Sequence, residues 1–345
     1  MSTKHFTANV ISASKVVPDG PYTNSSANGV WSISEAYDLR RGGRWPGTIQ
    51  GAFEDRILFA GGSSKNEIDY KSSTTGGNFS DFGDLLASNN GPRGGASSSV
   101  RMVFATVNTS GGDSSRPTYM QYVAPATTGN AQDFGTLSPG RVSNAGASSE
   151  TRGIFAGGAI TNGRTNSIVY ITIASTGGGT DFGDLTNSRA ASGGCGSPTR
   201  ALFGGGNDGS SALNVIDYVT IASTGNAIDF GNLSVARQPA GGSSETRALF
   251  AGGSGFANLN VIDYVEISTL GNATDFGNLA AEVQENAGSS NKTYAIFGGG
   301  SESGNTDRVN RRLIASGSNA SDFGNLTVAR TELAAACSTH GGIAS

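Results

Sequence analysis

An all-β ring of six blades is predicted by three features of the sequence. The first is a unit repeated six times, marked by an apolar run ending in Phe59, Phe104, Phe155, Phe203, Phe250 and Phe297. These marks lie 45, 51, 48, 47 and 47 residues apart, and a fixed period of this size indicates a solenoid, propeller or array. The second is an Asp-Phe-Gly triplet in every unit, beginning at Asp81, Asp133, Asp181, Asp229, Asp275 and Asp322. The third is composition: 53 of 345 residues are glycine, about twice the usual share of roughly 7%. Charged residues are only 14%, so the chain is rich in turns and poor in long helices.

The fifth copy divides into four short strands. Ala240 to Ser244 is a run of small residues, Arg247 to Gly252 an apolar run, Asn260 to Ile267 a β-branched run, and Ala273 to Phe276 a short last strand. In the third of these, Val261, Asp263, Val265 and Ile267 fall on one face and Ile262, Tyr264 and Glu266 on the other. Both faces are mostly apolar, as expected of a strand sandwiched between neighbouring sheets. Four short antiparallel strands repeated every 40 to 50 residues or so match one propeller blade per unit.

The small-residue strands are Gly94 to Ser99, Ala145 to Ser149, Gly193 to Ser197, Ala240 to Ser244, Ala287 to Ser290 and Ala334 to Ser338. They suit the crowded position beside a central axis. No such strand precedes Phe59, where Thr48 to Glu54 carries bulkier groups, while a spare one follows the last Asp-Phe-Gly. The C-terminal strand is therefore expected to complete the first blade and close the ring.

Residues 1–51 have no copy elsewhere and form an N-terminal leader, mostly irregular, ahead of a propeller over 52–345. Within the leader, Ser32 and Glu35 have capping-box spacing, Arg40 and Arg41 stand where cations favour a helix C-terminus, and Gly42 can stop the helix. A short helix over 33–41 follows. It is flanked by Trp31 and Trp45, the only tryptophans, and so short a helix needs a partner surface. Trp31, Tyr37, Arg40, Arg41 and Trp45 are the candidate attachment residues.

Several chemistries find no support in the pattern. A net charge of −4 without blocks gives no basic stripe for nucleic acid and no polybasic membrane patch. No run of 18 apolar residues spans a membrane, and the first residues lack the apolar core of a signal peptide. Two cysteines, Cys195 and Cys337, are too few for a disulfide scaffold and belong to blades three apart, so both are expected free. No CxxC exists, and only His5 and His340 could serve a histidine-based site, His340 near a flexible end. Neither a metal nor a cofactor is expected, and no catalytic residue is assigned. Asp-Phe-Gly is read as structural, its carboxylate capping the turn that the glycine makes. Arg56, Arg101, Arg152, Arg200 and Arg247 also recur, with Tyr294 in the sixth place, and are expected to form ion pairs with the repeated aspartates. Asp69, Asp217 and Asp263, in Ile-Asp-Tyr triplets, are read as strand residues rather than calcium ligands.

The repeats differ most between the Gly-Gly and the following tyrosine strand, from Ser63 to Lys65 in copy one to Thr106 to Arg116 in copy two. Loops on one face of a rigid scaffold are the usual carriers of recognition. Asp113, Arg116, Asn162, Arg164, Asp208, Phe256 and Glu302 are accordingly the candidate ligand- or receptor-binding residues.

The apolar run ending in Gly-Gly, a tyrosine ten to fifteen residues on (Tyr70, Tyr122, Tyr170, Tyr218, Tyr264; Arg311 in copy six) and a later aromatic resemble a kelch-type propeller repeat. Phe of Asp-Phe-Gly stands where kelch repeats usually have Trp, and copy two lacks Gly-Gly. The leader's Gly29-Val30-Trp31-Ser32-Ile33, Tyr37-Asp38-Leu39-Arg40-Arg41 and Arg44-Trp45-Pro46 are similar to a segment of virion structural proteins of tailed phages, especially those of marine bacteria. This second resemblance implies a non-enzymatic virion protein of the tail or its fibres, attached through the leader to other virion proteins. The ring would then be displayed to a host-surface protein or glycan, with homo-oligomers within the particle. The rival readings are a glycan-acting propeller enzyme and a cellular kelch-type interaction scaffold.

Overall fold

The computed structural model describes residues 55–89, 91, 94–106 and 118–343. The helix expected over 33–41 and the stretch Thr48 to Glu54 lie outside these residues. Arg56–Gly62 (β1), Lys65–Ser72 (β2) and Ser80–Asn89 (β3) begin the first blade. Blade 2 is Gly95–Ser97 (β4), Met102–Thr106 (β5), Thr118–Val123 (β6) and Gln132–Leu137 (β7). Blade 3 comprises Ala145–Ser148 (β8), Arg152–Ala156 (β9), a small hairpin of Ala159–Ile160 (β10) and Gly163–Arg164 (β11), then Ser167–Thr172 (β12) and Thr180–Asp184 (β13). Blade 4 is Gly193–Gly196 (β14), Arg200–Gly204 (β15), Val215–Thr220 (β16) and Ile228–Asn232 (β17). Ala240–Ser243 (β18), Arg247–Ala251 (β19), Leu259–Glu266 (β20) and Thr274–Val283 (β21) form blade 5. Blade 6 is Ala287–Ser290 (β22), Tyr294–Gly298 (β23), Arg308–Leu313 (β24) and Ser321–Asn325 (β25), after which Ala334–Cys337 (β26) remains. That last strand pairs antiparallel with β1, setting Phe59 opposite Ala335 and Ile57 opposite Cys337. The six four-stranded sheets make the protein an all-β, six-bladed propeller, closed by its C-terminal strand as the order of marks predicts.

Each blade's second strand is buried almost end to end because both its faces meet other sheets. The repeated phenylalanine reaches back into the preceding blade: Phe104 packs with Leu58 and Phe82, Phe250 with Leu202 and Phe230, and Phe59 with Ile296 and Phe323 across the closure. All six of these rings are at most 1% exposed, and truncating one to alanine costs about 3–5 kcal/mol by transfer and cavity terms. The core is thus six inter-blade layers rather than one centre.

The small strands are small because they touch. The backbone carbonyls of Ala335, Gly95, Gly146, Gly194 and Gly241 each sit where a Cβ on Gly95, Gly146, Gly194, Gly241 and Gly288, respectively, would have to go. A belt of glycines around the axis follows from that approach. The glycine of Asp-Phe-Gly has a related cause. Its φ lies between +116° and +147° throughout, and the Cβ side is filled by a backbone carbonyl of the next blade, such as Gly129 against Gly83. Asp Oδ1 accepts from that glycine's amide at Gly83, Gly135, Gly231, Gly277 and Gly324, the cap that the triplet implies.

The outermost strand would present an open edge, a hazard that native sheets cover. Here the third-to-fourth-strand connection of the next blade covers it. Gly129 and Ala131 donate to the carbonyls of Phe82 and Asp84, and Asn130 Oδ1 accepts from the Asp84 amide at 3.0 Å. Asn226, Asn272, Asn319 and Asn78 repeat the side-chain cap at other junctions.

Candidate binding face

The connections between second and third strands share one face of the ring with the connections between blades, which they meet at single bridges such as Val142 to Ala159 and Ala190 to Asn207. Of the residues expected to bind a partner there, Asp113 and Arg116 lie outside the described residues, as do Trp31, Tyr37, Arg40, Arg41 and Trp45 of the leader. The others are gathered on this face, but most are engaged within it. Arg164 Nε donates to Asn207 Oδ1 on the next blade at 3.1 Å. Asp208 accepts from the Ser210 and Ser211 amides at 2.7 and 2.8 Å, and these amides hold its carboxyl below the usual range. Glu302 pairs with Arg308 at 3.3 Å, and its carbonyl accepts from Asn258 Nδ2. Asn162 is exposed at the tip of the β10–β11 hairpin. Phe256 is wholly exposed at the tip of the blade 5 loop, and Val235, 42% exposed, sits on the connection against which Gly255 packs.

The expected pairing of the repeated arginines with the Asp-Phe-Gly aspartates does not occur. Arg56, Arg101, Arg152, Arg200 and Arg247 instead lie over Tyr70, Tyr122, Tyr170, Tyr218 and Tyr264 at 4.4 to 5.1 Å and donate to carbonyls of the next blade, Arg200 to Ile267 for example. Those aspartates are exposed and spent on their turns. The reason is position: the arginine opens the second strand, beside the tyrosine ring, while the aspartate opens the outermost strand. The sixth copy keeps the contact with its members exchanged, Arg311 lying over Tyr294 at 5.0 Å. Arg247 also pairs with a carboxylate, Glu266 at 2.6 Å.

Ion pairs do form, from arginines that sequence reasoning passed over. Eight residues after the aspartate of the triplet stand Arg141, Arg189, Arg237 and Arg330; Arg141 donates to the carbonyls of Gly157 and Ser167, and the other three enter the following blade to meet Asp217, Asp263 and Asp69 at 3.1, 2.9 and 3.1 Å. All six side chains are buried. A hydroxyl completes each set: Thr186 and Ser234 donate to Asp217 and Asp263 at 2.7 Å, and Thr327 to Asp69. The constant spacing was the available signal. Burial lowers Arg189 and Arg330 from their ordinary value, against the pull of their aspartates.

The axis holds a cavity of about 50 Å³ lined by Gly146, Gly194, Gly241, Ser97 and Ser148, among others. Ligand pockets usually run to roughly 300–1,000 Å³, so this channel is of a size for water and small solutes. His340, expected near a flexible end, is instead buried beneath one mouth of it. Its Nε2 lies 2.9 Å from the Ser97 carbonyl and 3.1 Å from Ser148 Oγ, while Nδ1 accepts from the Gly342 amide at 3.0 Å. Cys195 and Cys337 are free and buried, in blades 4 and 1 on opposite sides of the axis, and burial pushes their thiols up to about 12 and about 11. Among the described residues no three of His, Cys, Asp or Glu are grouped to hold a metal ion, and no helix is long and apolar enough to cross a membrane. Compared with protein-family models and with curated protein sequences, the chain matches none.

Proposed function

We propose that this protein is a non-enzymatic display propeller, kelch-like in its repeats, carried in the virion of a tailed phage as part of the tail or its fibres. On this reading the leader attaches it to other virion proteins, and the face bearing the second-to-third-strand loops contacts a host-surface protein or glycan. The observation that carries the binding role is Phe256: its ring is fully exposed at a loop tip, while neighbouring loop residues are committed to hydrogen bonds and ion pairs along the rim. An aromatic ring held out by a rigid scaffold supplies contact area at small cost in conformational freedom. The leader's role rests on its sequence resemblance and on its holding both tryptophans.

Three measurements test this. Mass spectrometry of intact particles should find the chain at fixed copy number; a chain found only in cells would leave the cellular scaffold. Phe256→Ser should leave the unfolding midpoint unchanged and weaken attachment of the full chain to host cells by tenfold or more. Unchanged attachment would move the contact off this loop. Cleavage of host glycans by the wild-type chain would favour the glycan-acting enzyme instead.

A further inference from the structure

The three buried sets of hydroxyl, arginine and aspartate occupy the junctions of blades 3 with 4, 4 with 5 and 6 with 1. At the junction of blades 5 and 6 all three members change together: Ala280 replaces the hydroxyl residue, Val283 the arginine and Asn310 the aspartate. Val283 also takes the arginine's place in space. Its side chain lies against the second glycine of the next blade's pair, Gly300, as Arg189 lies against Gly206.

What this exchange leaves behind is polar. Asn310 is 7% exposed and its Oδ1 has no protein partner; Asn286, 6% exposed, has none for either Oδ1 or Nδ2. Both asparagines line one cavity of about 10 Å³, shared with Thr306, Arg308 and Glu302. A buried polar group without a partner costs about 1–3 kcal/mol, and such groups in native proteins generally find one. One water needs roughly 10–15 Å³ and two to four polar partners. Space and chemistry therefore agree.

We propose that the junction of blades 5 and 6 is a binding site for one ordered water molecule, which bridges the carboxamides of Asn286 and Asn310 and does there what the arginine and hydroxyl do at the three junctions that carry them. An asparagine carboxamide supplies both donors and acceptors, so a water can donate to Asn310 Oδ1 and accept from Asn286 Nδ2. Asn286 also lines the central channel, which places this water beside the axis. The proposal is independent of any role in a particle.

A high-resolution crystal structure of the full chain should show one water within about 2.7–3.2 Å of both carboxamides. Density showing the carboxamides bonded to each other or to protein groups, with no water between them, would overturn it. The triple change Ala280→Thr, Val283→Arg, Asn310→Asp should rebuild the set, displace the water and keep or raise the unfolding midpoint, whereas Asn310→Asp alone should lower it. A triple variant as destabilised as the single one would mean that this junction cannot hold the set of the other three and would overturn the equivalence between that set and the water.

Discussion

Asp263→Ala removes the carboxylate that faces Arg237 at 2.9 Å and that accepts from the amide and hydroxyl of Ser234 at 2.9 and 2.7 Å. The guanidinium keeps its bonds to the carbonyls of Gly252, Val235 and Phe250, so it is not stripped of partners, but it stays buried without a counter-charge. Breaking one side of a buried pair typically costs about 3–5 kcal/mol, and the remaining carbonyl bonds place this case near 3. The unit that unfolds is Asp55–Ser345, about 290 residues, for which the unfolding entropy is roughly 0.6 kcal/mol/K; the midpoint should fall by about 5 °C. Adding Arg237→Met should recover more than half of that loss, because an apolar side chain in the same groove leaves no unpaired charge, as Val283 does one junction on. Calorimetry or far-ultraviolet circular dichroism should follow the transition, since both tryptophans precede Asp55 in the sequence and the unit from Asp55 on contains none. If the losses in the double variant simply add, the pair is not coupled and the argument from buried charge fails.

Two further outcomes follow from the closure. Removing Leu333 to Ser345 deletes β26, which pairs with β1 from Ile57 to Ala60, and should yield aggregated protein or a chain without a cooperative transition; a midpoint equal to the full chain's would show that another segment supplies the strand. The second concerns His340, which burial pushes below its ordinary value against the Ser97 carbonyl and Glu150, with Lys292 acting in the same sense as burial. A histidine depressed in the folded state contributes stability that is fully present above the unfolded value of about 6.5 and is lost below it, at up to roughly 1.4 kcal/mol per pH unit. Wild-type chain should therefore lose more stability than His340→Gln between pH 7 and 5, and parallel curves would refute the buried neutral ring.

Much of the ring was legible because its marks are local and repeated. Phe59 and its five equivalents, the triplet glycines and the spare strand after Leu333 each follow from short-range pattern plus the count of units. The misassigned arginines show where such reading stops. Arg200 has a counterpart in five of the six blades and Asp229 in all six, and repetition alone suggests that they meet; only the position of each along its strand separates them. Arg330 and Asp69 are 261 residues apart and meet only because the ring closes, so no local pattern could pair them. The constant spacing from the triplet to Arg189, Arg237 and Arg330 was visible, yet its meaning depended on knowing that the chain enters the next blade at that point. His340 was hidden for a related reason: a residue just past the last strand looks free until the channel mouth that covers it is known.

Two kinds of lock cross the junctions, and their distribution has a consequence. Near the axis, serine hydroxyls donate to the neighbouring blade: Ser97 to the Cys337 carbonyl, Ser148 to Ser97, Ser243 to Gly196 and Ser290 to Ser243. At the two remaining junctions the serine's place is taken by Gly196 and Cys337. Those two, blades 3 with 4 and 6 with 1, are bridged farther out by Arg189–Asp217 and Arg330–Asp69. The junction of blades 4 with 5 has both locks. Asp217→Ala should then open its junction far more readily than Asp263→Ala opens its own, although both remove the same kind of contact, because Ser243 still ties β18 to β14 in the second case. Hydrogen exchange reads this locally: Asp217→Ala should raise exchange at the Gly225 and Ala227 amides, which donate across that junction to the Phe182 and Asp184 carbonyls, more than Asp263→Ala does at Gly271 and Ala273, which donate to Phe230 and Asn232. Equal loss of protection in the two variants would mean that the serines carry no part of the lock.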